Sequence, residues 1–234
     1  MSTRSLALLL ALVATCAFAA APARAAGPSA DYKISADDSE KSPDGQTVIE
    51  QYHKEDKDGW WHWQAWARRG DTQVLLNTDE DVLYPADFRF TNDSQWVARM
   101  QKTGSGEMSL YLYKLDDKGF VSATKKPLGD LAWAYFKSQP ESKKARTPDF
   151  HIAAGLLKGT EENYRWMGVN WPENRYLVIS LWGEVEPNTH HHQLFAVRGW
   201  HVRYDLETGK FDVPPEFLDD NAKALDRKGE NNPS

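Results

Sequence analysis

The chain has 234 residues, with 34 acids against 28 Lys and Arg for a net charge of −6, ten tryptophans and a single cysteine. An acidic balance excludes general binding to phosphate backbones or anionic membrane surfaces, so no nucleic-acid partner is expected. One cysteine excludes a disulfide framework, and the length suffices for one domain with a sizeable core.

The first 25 residues read as a secretory signal peptide. Arg4 supplies the positive start, residues 6–21 form an uncharged apolar run, and Ala23-Arg24-Ala25 gives a small-x-small cleavage pattern. The run is too short for a membrane span, and no later stretch is apolar enough to be one. A lipid anchor at Cys16 is the rival reading. Thr15 before it and the apolar run continuing past it both speak against that anchor. The expected protein is therefore periplasmic or secreted, with no transmembrane segment after cleavage and one β-rich domain over residues 26–227. Cleavage after Ala25 leaves no cysteine, hence no thiolate ligand or nucleophile. The leader carries two Arg and no acid, so the remainder holds 26 basic residues against 34 acids.

Three segments then repeat one pattern. Residues 42–48 (SPDGQTV), 91–97 (TNDSQWV) and 171–177 (WPENRYL) each place Pro or Asn, an acid, then Gly, Ser or Asn before an apolar strand. Pro and Asn suit the early positions of a tight turn, and Gly or Asn tolerates its left-handed corner. The strands VIEQYH, VARMQK and LVISLW follow. Next come WWHWQAWARRG, MSLYLYKLDDKG and GWHVRYDLETG, closing on Gly70, Gly119 and Gly209, and last TQVLLN, FVSATK and KFDVPP. With YKIS, DFRF and NYRWMGV ahead of the turns, each copy predicts a four-stranded antiparallel meander. The copies span about residues 31–77, 87–125 and 163–214. The SPDG turn, LYLYKL at residues 110–115 and Tyr204-Asp205-Leu206 resemble the blades of TolB-type and WD-type β-propellers. That resemblance implies a mainly β, blade-like fold. Closed propellers have at least four blades, so three imply an open array, a sandwich or barrel, or a ring completed by another chain in a homo-oligomer.

The turns lie 49 and then 80 residues apart, which puts an insertion at about 127–162. Residues 127–137 (PLGDLAWAYFK) predict a short amphipathic helix with Leu131, Ala134 and Tyr135 on one face. A second helix is predicted over residues 215–227, and residues 228–234 read as a disordered tail.

Alternation sorts the Trp-rich stretch at 60–66. Aligned with the other copies, Trp61 and Trp63 fall on the shared apolar face and are expected in the core. Trp60, His62 and Trp66 fall on the mixed face, where His201 and Arg203 occupy the corresponding place in the third copy. Indole faces stack on sugar rings and cations, so these five form the candidate ligand site. His190 and His192, with Glu184 upstream, are the candidate ligands for a divalent transition metal, the one cofactor the residues suggest. No Gly-x-Ser-x-Gly turn or phosphate loop is present, and no catalytic residue is singled out. The leading expectation is an exported, non-catalytic binding or scaffolding protein of the cell envelope. Its ligand would be a glycan, a peptide or a partner protein. A hydrolase or metal-dependent enzyme using the His-bearing face, and a structural subunit of an envelope complex, are the alternatives.

Overall fold

The computed structural model describes residues 27–77, 82–157, 175–185 and 194–225. Among the described residues three antiparallel meanders make up the β structure, the number the repeats predict. The first runs β1 (Lys33–Lys41), β2 (Thr47–Glu55), β3 (Trp61–Arg69) and β4 (Thr72–Leu75), in that spatial order. The second is β5 (Ala86–Phe90), β6 (Trp96–Gly104), β7 (Glu107–Asp116) and β8 (Gly119–Ser122). The third is β9 (Phe150–Leu156), β10 (Tyr176–Val185), β11 (Leu194–Asp205) and β12 (Lys210–Asp212). Among the described residues two α-helices complete the fold, α1 (Leu128–Ser138) between the second and third meanders and α2 (Leu218–Leu225) after the last strand. No described helix is long and apolar enough to cross a membrane.

The repeated turns are the same object twice. Ser42 and Thr91 each close the turn through backbone bonds to the residue five on, Thr47 and Trp96, and each hydroxyl also accepts that residue's N–H. Asp44 and Asp93 accept the N–H two residues later, an Asx turn. The left-handed corner is Gly45 at φ +68° and Ser94 at φ +60°. The two turns also touch, because Asp44 N–H donates to Ser94 Oγ at 3.0 Å. The third turn, residues 171–174, and the predicted strand NYRWMGV lie outside the described residues. Leu206 N–H donates to Arg175 O at 2.7 Å, as Leu115 N–H does to Gln95 O at 2.8 Å, so the third copy keeps that part of the pattern.

The meanders do not close on themselves. The first is a separate sheet. The second and third fuse edge to edge, where β9 runs parallel to β7 at Met108–Ala153, into one sheet of eight strands. Strand β9 falls inside the predicted insertion and takes the place beside β10 that the sequence pattern assigns to residues 163–169. One core lies between the first sheet and the second meander, built on Ile49, Leu76, Phe88, Phe90, Val97 and Phe120. A larger one lies beneath α1, on Leu110, Leu112, Phe136, Ile179, Leu181 and Trp200.

Helix α1 forms where predicted but buries a different face. Leu128, Ala132, Trp133 and Phe136 point inward, while Ala134 is exposed. The spacing of 128, 132 and 136 is one helical stripe, widened by Trp133, and the two rings of Trp133 and Phe136 outweigh the Leu131–Tyr135 side. Trp133 and Phe136 meet edge to face at 5.6 Å, and Phe136 meets Trp200 at 4.9 Å. Gly129 permits this approach: a Cβ there would sit 2.9 Å from the Ala154 Cβ.

Side-chain amides substitute for missing strand partners. Gln51 on β2 donates to Ala86 O and accepts from Ala86 N–H, both at 2.8 Å, tying the first sheet to β5. Asn77 treats Trp63 O and Ala65 N–H the same way, and Asn221 of α2 grips both backbone groups of His201 on β11. Each amide offers one donor and one acceptor at backbone spacing, which satisfies a strand edge that would otherwise be orphaned.

Candidate functional site

The Trp-rich stretch forms the end of the β2–β3 hairpin. Asp56 builds the turn: its carboxylate accepts the N–H groups of Asp58 and Trp60 at 2.9 Å and also meets His62 Nε2 at 2.9 Å. The bond to His62, then that from Trp60 N–H, hold the Asp56 carboxyl below the usual carboxylate range. Gly59, at φ +84°, supplies the corner. Trp60 is 60% exposed and Trp61 46%. The His53 ring packs against Trp61 at 5.0 Å and Trp63 at 4.9 Å. Exposed Glu55 and Asp58 flank the indoles.

Two assignments from alternation change here. Trp61, expected in the core, is exposed, and Trp66, expected at a ligand face, is only 5% exposed. Alternation assigns faces correctly but not distance from the core. The shared face is buried only at Ala65 and Ala67, while Trp61 overhangs toward the turn. On the opposite face, residues 27–32 cross the sheet. Gly27 lies against Gln73, and Asp31 pairs with Lys54 at 3.1 Å. Gln73 and Lys54 share the face of Trp66 through their register with Arg68 and His62, so that segment runs over the indole's side of the sheet. Trp66 Nε1 donates internally, to Gln64.

The third-copy residues lie elsewhere. His201 sits on β11, in the other sheet, edge-on to Phe217 and gripped by Asn221; burial pushes its imidazole pKa down. Arg203 is engaged by Asp212 and lies over Tyr176 at 4.4 Å. The repeat equivalence of His62 and His201 therefore holds in strand order but does not bring them into one site. His190 and His192 lie outside the described residues. Among the described residues no three His, Cys, Asp or Glu side chains converge as a metal cage.

Glu184 instead takes a partner the sequence reading missed, His151, whose Nδ1 lies 3.1 Å from Glu184 Oε2. Both line a cavity of about 370 Å³ with Ser105, Gly106, Ala153, Trp182 and Gly183. The strand register breaks three times around it. His151 and Ile152 of β9 oppose the single residue Gly183 of β10, while on β11 Gly199 is an extra residue between the partners of Leu181 and Trp182, and Ala196 between those of Gly183 and Glu184. Bulges of this kind re-aim side chains and cluster beside functional sites. His151 sits at φ +45°, a left-handed conformation uncommon for a side chain of its size. The Trp182 indole, 41% exposed, lies over Gly199 and donates to Ser180 Oγ at 2.9 Å. No sequence signal marks this place, because bulges depend on the partner strand's register.

No family model matches the chain, and no curated protein matches it. Among solved structures it is similar to TolB from Acinetobacter baumannii, at 12% identity and a TM-score of 0.28, over 74% of this chain and 31% of that one. A likeness of that degree assigns neither a family nor an activity.

Proposed function

We propose that the chain is an exported, non-catalytic binding protein, and that the end of the β2–β3 hairpin is its ligand face. The observation that carries this reading is the exposure of Trp60 and Trp61, 60% and 46%, at a hairpin end fixed by Asp56, where successive positions offer one indole on each side of the strand. Adjacent exposed tryptophans leave apolar area in water that packing elsewhere would have removed. A ligand recovers that area. The ligand class is a glycan: indole planes stack on the apolar faces of sugar rings, and the flanking carboxylates of Glu55 and Asp58 accept hydroxyl hydrogen bonds.

Trp60→Ala and Trp61→Ala test it on a glycan array followed by titration. Each is expected to weaken binding at least ten-fold while shifting unfolding stability by no more than about 0.5 kcal/mol, the usual range for surface positions. Loss of stability with unchanged binding would refute the site. A protein that co-purifies through Trp60, with no glycan bound, would favour the envelope-subunit reading instead.

A further inference from the structure

The bulged cavity stands apart from the hairpin end and carries an inference of its own. Its walls are built rather than incidental. Gly106 and Gly183 have no room for a side chain, since a Cβ would fall 2.8 Å from the His151 ring and 2.6 Å from Pro148. Three register breaks converge on it, and one of its residues is held in a left-handed conformation inside a strand. An outlier of that kind costs about 1–3 kcal/mol and persists where the surroundings over-determine it.

The chemistry of the lining is one-sided. Glu184 is buried, with its side chain 8% exposed. Its Oε2 lies 3.1 Å from His151 Nδ1; with the imidazole hydrogen on Nδ1, that bond leaves Nε2 as a lone-pair acceptor. Ser105 adds a hydroxyl oxygen. No Lys or Arg lines the cavity among the described residues. Trp182 supplies an aromatic wall and Ala153 an apolar one. Acceptors, negative charge and an indole together match a ligand with several N–H donors, positive charge and a flat apolar body. The volume lies at the small end of small-molecule sites, which run to about 300–1,000 Å³.

We propose that this cavity is a second binding site, for a compact primary ammonium compound. The ammonium group meets His151 and Glu184, and the apolar body lies along Trp182.

Calorimetric titration of the untagged protein in phosphate buffer, free of competing amines, tests this with benzylamine, benzyl alcohol and N-acetylglucosamine. Benzylamine is expected to bind at least ten-fold tighter than the alcohol. Trp182→Ala and His151→Asn are each expected to weaken it at least ten-fold. Asn tolerates the left-handed backbone and carries a donor for Glu184, so His151→Asn keeps the fold, which circular dichroism checks. Trp60→Ala should leave benzylamine binding unchanged, so failure here and failure at the hairpin read out separately. Equal affinity for amine and alcohol, preference for the sugar, or undiminished binding in both cavity variants would overturn the proposal.

Discussion

At the scale of single residues, the structure leans on polar side chains in places a reader of hydrophobic pattern passes over. Gln51 is 3% exposed and bonds Ala86 twice and Asp38 O once. Gln51→Leu keeps the volume and orphans buried backbone groups at the junction of the first two meanders. The expected cost is about 2–4 kcal/mol, from two buried groups losing partners; urea unfolding measures it. Arg99 is the contrasting case: it is 2% exposed, its guanidinium lies 4.0 Å over the Tyr111 ring, and its Nε and Nη1 have no hydrogen-bond partner among the described residues. Of the tryptophans in WWHWQAW, sequence alternation separated the faces, and His53, packed against both Trp61 and Trp63, shows that those two share one. It could not show that Trp61 overhangs the core, nor that residues 27–32 run along Trp66's side of the sheet. Both depend on chain that is distant in pattern or has none.

At the scale of elements, the meanders were legible because their turns are written in local chemistry. An Asx turn and a left-handed corner need only a few adjacent residues, and residues 42–48 and 91–97 supply them. Helix α1 was legible too, but the choice of its buried stripe is made by Ala154 and Leu110 from other strands, which meet Gly129. The bulges around β10 were hidden for the same reason. A bulge is a mismatch between two strands, and neither strand shows it alone. Gly199 tests the bulge directly. Its φ is +79°, and a Cβ there would lie 3.4 Å from the Trp182 indole. Gly199→Ala is expected to cost about 1–2 kcal/mol through backbone strain and to shift the emission of Trp182. Unchanged stability and emission would show that the bulge relaxes freely.

At the scale of the whole molecule, the two sheets are held together by polar junctions as well as by core. Arg69 reaches back to Asp44, whose N–H in turn meets Ser94 of the second meander. The Ser42 hydroxyl, then the Gln46 N–H, hold the Asp44 carboxyl down to about 2 from 3.8. Its folded value lies below its unfolded one, so its contribution is complete above about pH 4 and is lost as pH falls toward 2. Asp44→Asn is therefore expected to be less stable than the parent at pH 7, with the gap closing by pH 2. Urea midpoints across that range decide it; a gap independent of pH would assign the effect to something other than the carboxylate.

The amide grips also set how the protein ages. Asn77 and Asn221 are buried, and the side-chain NH₂ of each donates at 2.8 Å to a strand carbonyl, of Trp63 and of His201. Hydrolysis of either amide would replace that NH₂ with an anionic oxygen facing the carbonyl, turning a clasp into a repulsion inside the fold. The side chains that finish the strand edges are thus also the ones whose slow deamidation would undo them, at the hairpin that carries the exposed indoles and at the strand that forms the cavity's bulges.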